Sequence, residues 1–154
     1  VEVSVQPAPS AVDVVTRAEA FDRVLTDRLA RARIPVTHVG RIIPITLHSP
    51  LVARRDHDGQ LELIEALAPA TILFASRRFV RDGGWDQRSG AMQPLLAVEA
   101  GAVFVLELPE GKHWRDLLEP LRRLEATGLG ERRHQGYGHT LCFDPFHAQP
   151  APKK

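Results

Sequence analysis

Apolar positions recur along this chain with two different periods. From Asp13 to Arg33, Val14, Ala18, Phe21, Val24, Leu25 and Leu29 return at helical spacing, with Arg17, Arg23, Arg28 and Arg31 on other positions. That spacing predicts an amphipathic helix with a solvated arginine face, capped by Asp13 and stopped shortly before Pro35. From Val39 to Ala53 the period falls to two: Ile43, Ile45 and Leu47 alternate with Pro44, Thr46 and His48, which predicts a strand. Asp58-Gly59, between 51–55 and 60–64, predicts a tight hairpin. Further strands are predicted over 71–81, ending at Asp82-Gly83-Gly84, and over 95–98 and 102–108, with a loop over 85–93. A second helix is predicted over 113–126. Trp114, Leu117, Leu118, Leu121 and Leu124 share its apolar face, and Pro120 predicts a kink within it. Residues 128–138 read as a glycine-rich loop and 139–143 as a closing strand.

A short alternating run, Val1–Val5, precedes the first helix, so the order is β–α–β, a β-rich region, then β–α–loop–β. This predicts an α+β protein: a ferredoxin-like (RRM-like) βαββαβ sandwich with a β-rich insertion and a C-terminal glycine-rich loop. One domain is expected over 1–147, with the insertion at about 50–98 and a flexible tail over 148–154. Two helices on one face of the sheet leave its other face free for a partner.

Composition narrows the class. The chain has 154 residues, 44% of them hydrophobic and 25% charged, values of an ordinary globular domain. No apolar run approaches the roughly 20 residues of a membrane span. The single cysteine, Cys142, excludes an internal disulfide framework and fits a reducing cytoplasm, and no basic-then-apolar leader argues for secretion. A first residue other than methionine suggests a processed chain or a piece of a longer one. Net charge is +1, which alone predicts no polyanion partner, yet 17 of the 20 basic residues are arginine. Arginine presents a planar, bidentate fork to phosphate and stacks on bases. GC-rich coding gives the same bias, so composition leaves function open.

The informative segment is Gly128-Leu129-Gly130-Glu131-Arg132-Arg133-His134-Gln135-Gly136-Tyr137-Gly138: two Gly-apolar-Gly units around a basic centre. Glycines let backbone amides approach a ligand, and consecutive amides form anion-binding nests. Arg132 and Arg133 add charge-assisted phosphate contacts, and Tyr137 a stacking surface. It is not a Walker loop, because the final glycine precedes His139 rather than Lys. It is not a dinucleotide fingerprint either, because Arg133 stands where the third glycine belongs. Both of those motifs lead from a strand into a helix, whereas this loop leaves a helix and enters a strand.

A helix, then Gly-φ-Gly-x5-Gly-φ-Gly, then a final strand resembles the C-terminal loop of the CRISPR-associated RAMP superfamily. Ser49-Pro50-Leu51 running through Arg54, Arg55 and Asp56 into Asp58-Gly59 resembles the type III, III-D-like branch that holds the crRNA 5′ handle. So do Gly84-Trp85 after a basic strand, and Glu99-Ala100-Gly101-Ala102-Val103-Phe104-Val105, with Ala102 where serine is usual. The resemblance spans roughly Ile43 to Phe143. It implies a non-catalytic RNA-binding subunit of an antiviral type III effector complex. Its partners would be crRNA, other RAMP backbone subunits and the large signalling subunit, with neither cofactor nor metal. The RNA-binding residues it implies are Gly128, Leu129, Gly130, Arg132, Arg133, His134, Gly136, Tyr137 and Gly138, joined by Arg54, Arg55 and Trp85.

Seven histidines keep a rival open, because the same loop occurs in metal-independent CRISPR repeat endoribonucleases that use a histidine general acid–base. His38 and His48 are the candidates, and the sequence offers no evident partner for either. A ferredoxin-like protein-interaction module without RNA is a third reading. His139, Cys142 and His147 make a poor metal set, because residues three apart on a strand point to opposite faces. Asp56-His57-Asp58 is already explained by its turn.

Overall fold

A computed structural model of the chain describes residues 13–86 and 91–149, and for 82–86 and 91–95 the backbone alone. The predicted first strand, Val1–Val5, and most of the expected tail lie outside the described residues. Within them the elements are α1 (Val14–Arg31), β1 (Ile42–Leu47), α2 (Gln60–Ala66), β2 (Thr71–Ser76), β3 (Phe79–Asp86), β4 (Ala91–Val98), β5 (Val103–Glu107), α3 (Leu118–Thr127) and β6 (Thr140–Cys142). The main sheet is antiparallel throughout, in the order β2-β5-β1-β6, and β3 with β4 forms a separate ribbon. This is an α+β sandwich of the ferredoxin-like kind.

The period-two pattern fixes which face of β1 is buried. Ile43, Ile45 and Leu47 are inaccessible and join Phe104 and Leu106 of β5 in one core. Val14 and Ala18 of α1 and Leu121 and Leu124 of α3 close it, with Trp114 filling the space between. Pro44 is tolerated in this central strand because pairing with β6 covers only Ile45–Leu47 and the Pro44 carbonyl still accepts the Phe143 N–H at 2.9 Å.

Several sequence expectations are corrected here. Asp58-Gly59 is the start of a helix rather than a hairpin: Asp56 accepts the Gly59 and Leu61 N–H groups at 2.8 and 2.9 Å, and Asp58 accepts the Gln60 N–H at 3.3 Å. Those carboxylates satisfy donors that a helix start leaves free, so α2 forms and buries Leu63 and Leu67. The β-rich region 50–98 thus also contains α2, and its β2 pairs with β5 within the main sheet. The strand over 71–81 divides into β2 and β3, and β3 continues through Gly83-Gly84. Pro120 produces no kink, because a 3₁₀ turn at Trp114–Leu117 precedes α3 and places Pro120 in its first turn, where an N–H has no intrahelical partner. Arg17 leaves the solvated face: it is buried, donates from Nε to the Cys142 carbonyl at 3.1 Å, and pairs with Glu125.

Candidate nucleic-acid interface

The loop after α3 folds back on the segment that leads into α2. Leu129 N–H donates to Gly138 O, Gly138 N–H to Pro50 O and Glu131 N–H to Val52 O, each at 2.8 Å. Gly130 N–H donates to Glu62 Oε2 at 2.8 Å, while Glu62 Oε1 accepts the Arg54 N–H at 2.5 Å. Gly136 and Gln135 amides close a 3₁₀ turn on Arg133 O and Arg132 O. The amides of Gly128, Leu129, Gly130, Glu131, Gln135, Gly136 and Gly138 are thus bonded within the protein, which leaves those of Arg132, Arg133 and His134 as the consecutive amides without an acceptor among the described residues.

The glycines owe their presence to close approach. A Cβ at Gly138 would lie 1.7 Å from Leu129 O, and one at Gly130 would lie 2.3 Å from Val52 O. Gly136 faces open space, and only its φ of +88° calls for glycine.

Side chains add to what a ligand would meet. An open groove of about 450 Å³ runs between α2, α3 and the loop, lined by Arg54, Arg55, Arg123 and Arg133 against the carboxylates of Glu62 and Glu65. Glu62 is held by backbone amides and Glu65 pairs with Arg55. Arg133 reaches the Thr127 carbonyl at 3.3 Å. The guanidinium groups of Arg54, Arg123 and Arg132 make no hydrogen bond or ion pair among the described residues. A second concavity continues the first past Arg54 and Arg133 to Arg132 and His134.

The structure therefore brings Arg54, Arg55, Arg132, Arg133 and His134 to one surface, with Gly128, Leu129 and Gly130 as its floor. Leu129 is buried and Tyr137 half-buried. Trp85 lies on β3 opposite Met92, away from that groove in the fold's order, and its side chain falls outside the described residues. Arg123 was not singled out from the sequence. Its signal was present: it stands on the polar side of α3, one turn before the loop.

Two histidine sites also emerge, each with a partner the sequence did not offer. His38 Nδ1 lies 2.8 Å from Glu107, which also pairs with Arg41 at 3.4 Å. His48 Nε2 lies 2.7 Å from Asp144 Oδ2. Burial pushes the Asp144 carboxyl up, but the Phe146 N–H and His48 outweigh it and hold it below the usual carboxylate range. An ionised carboxylate only accepts, so the His48 nitrogen that faces it, Nε2, carries a proton, and in the neutral ring Nδ1 is then the acceptor. The ring of His139, first residue after the glycine loop, stands edge-on to His48 with centroids 6.0 Å apart. His139 N–H donates to Ser49 Oγ and His48 N–H to His139 O, each at 2.8 Å, which ties β1 to β6 here. His147 borders the site, 3.0 Å from Thr46 Oγ1, and burial lowers its pKa while Asp144 opposes. Cys142 is buried, and burial first, then Glu125, pushes its thiol well up.

No protein-family model matches the chain, and neither does any curated protein. Among solved structures it is similar to the Cas6 (TTHA0078) product complex, at 17% identity and a TM-score of 0.44, over 66% of this chain and 51% of that one. It is also similar to a point mutant of the same Cas6, at 18% identity and a TM-score of 0.42, over 66% of this chain and 52% of that one. The chain spans about half the length of these structures. One expectation is corrected by them: the chain was read as not an enzyme, whereas the solved structures it resembles are of Cas6, one of them with its product. Among the described residues, no helix is long and apolar enough to cross a membrane.

Proposed function

We propose that this chain binds single-stranded CRISPR RNA, and that the repeat-derived 5′ handle lies in the groove between α2, α3 and the glycine loop. The observation that carries this reading is the convergence of Arg54, Arg123, Arg132 and Arg133, from three separate segments, on one open surface. Guanidinium forks match phosphate oxygens bidentately, and flexible single strands let bases splay away from such a track. The other RAMP subunits and the large signalling subunit of a type III complex are the partners this reading assigns to the remaining surface.

A second reading is favoured by the His48–Asp144 pair beside His139. Together they supply what metal-free RNA cleavage requires. His48 Nδ1 takes the proton of a 2′-hydroxyl as its oxygen attacks the adjacent phosphorus. His139, as the general acid, gives a proton to the 5′-oxygen as its bond to phosphorus breaks. The products are a 2′,3′-cyclic phosphate and a 5′-hydroxyl, and no metal enters the balance.

One experiment addresses both. Purified chain is mixed with labelled repeat RNA in EDTA across a salt series, then run on native and denaturing gels. A mobility shift that weakens with salt supports binding, and a discrete product lost in His48→Ala supports cleavage. RNA that neither shifts nor breaks at low salt overturns both.

A further inference from the structure

On the other side of α2 lies a second groove, of about 560 Å³, between that helix and the β3–β4 ribbon. Its walls are apolar yet open to solvent: Leu61 is 48% exposed, Phe79 43% and Leu96 59%. Its rim is polar, from Asp56, His57, Asp58, Gln60 and Arg77. Arg77 pairs with buried Asp58, which pins the start of β3 against the N-terminus of α2. Gln60 Nε2 donates to the same carboxylate at 2.7 Å, which leaves its amide oxygen as an acceptor.

Residues 54–58 border both grooves, with Arg54 and Arg55 on one side and Asp56, His57 and Asp58 on the other. The divide is one helix, about 10 Å across, a step of a few nucleotides. Arg81 follows Phe79 by two residues on β3 and is exposed. Asp56 and Asp58 also line the groove, but Asp56 is bonded to the Gly59 and Leu61 amides and Asp58 to Arg77. An apolar slot next to Arg54 and Arg55 therefore suits a flat, apolar group carried on a polyanion better than it suits an apolar peptide.

We propose that this second groove is a nucleobase subsite. It takes an unstacked base of the same RNA strand whose phosphates occupy the arginine groove, so it rests on that RNA reading. Phe79 is the stacking surface, and His57 and Gln60 meet the base edge.

The test compares two RNAs by fluorescence anisotropy, one of about 4 nucleotides and one of about 12, near the ends of the usual single-strand site sizes. Phe79→Ala is expected to weaken the longer RNA about tenfold, to leave the shorter one unchanged, and to leave the salt slope unchanged, since stacking releases no counterions. Phe79→Trp is expected to keep wild-type affinity, and an unchanged unfolding midpoint shows that Phe79→Ala folds. Arg133→Ala, in contrast, weakens both RNAs and lowers the salt slope. If Arg133→Ala has that effect and Phe79→Ala has none on the longer RNA, the subsite is wrong and the RNA reading stands. If wild-type chain binds neither RNA, both fall. If Phe79→Ala instead abolishes a concentration-dependent self-association while RNA affinity holds, the groove belongs to a second copy of the chain and the proposal is overturned.

Discussion

Glu62 accepts the Gly130 N–H at 2.8 Å, and its other oxygen accepts the Arg54 N–H. One carboxylate on α2 thus fixes the glycine loop and the arginine-bearing segment as two walls of a single groove. Glu62→Ala is expected to cost about 2 kcal/mol, since it leaves two amide donors without their acceptor. Glu62→Gln keeps an acceptor and is expected to cost less. Urea unfolding of the three proteins checks the order, and equal midpoints would contradict it.

The four loop glycines are expected to tolerate substitution unequally. Gly138→Ala drives a methyl group into the Leu129 carbonyl, so the loop must open or the protein unfold. Gly136→Ala meets nothing and pays only for its positive φ, about 1 kcal/mol. Were the glycines there to admit a phosphate, Gly136→Ala would abolish RNA binding with little loss of stability. Thermal melts alongside anisotropy separate the two cases.

These loop positions show what the sequence could and could not reveal. The helices at 14–31 and 118–127 and the strands at 42–47 and 103–107 were legible because a period of apolar residues reports directly on one buried face. Asp58-Gly59 was misread because the deciding groups are carboxylates, those of Asp56 and Asp58, that cap α2 through hydrogen bonds no periodicity records. Four glycines around a basic centre suggested an amide nest. Only the fold shows that Pro50, Val52 and Glu62 already accept the amides of Gly138, Glu131 and Gly130. Arg123 joins the groove because α3 lies beside α2, a tertiary fact. The partners of His38 and His48 are distant in sequence, and nothing local to either histidine announces Glu107 or Asp144.

Arg17 and Glu125 form an ion pair in which the arginine side chain is 2% exposed and the carboxylate 20%. Glu125 also accepts the Cys142 N–H at 2.9 Å, so the pair ties α1 and α3 to the edge strand β6. Glu125→Ala removes the counter-charge of a buried guanidinium and is expected to destabilise by about 3 kcal/mol. Replacing both partners with apolar residues of similar volume is expected to recover most of that loss. Chemical denaturation of the single and double variants checks both statements.

Stability is expected to fall on acidification in two stages. Burial depresses the His147 pKa below 6.5, so its contribution is full above about that value and is lost as pH falls through the folded-state pKa. Asp144 is held below its ordinary 3.8, so its contribution persists above that value and is lost as pH falls through its own folded-state pKa. His147→Gln is expected to remove the first stage and leave the second. A melting temperature followed from pH 8 to pH 3 reads both, and an unchanged first stage in the variant would contradict the assignment.

The central claim is that the groove is a phosphate track built by side chains, and Arg123 tests it most directly. Its guanidinium lines the groove from α3, outside the glycine motif. The measurement is the affinity of Arg123→Ala for single-stranded repeat RNA, by anisotropy across a salt series. The account predicts weaker binding at every salt concentration and a log–log salt slope reduced by about 0.7, the loss of one single-strand phosphate contact. Wild-type affinity with an unchanged slope would contradict it.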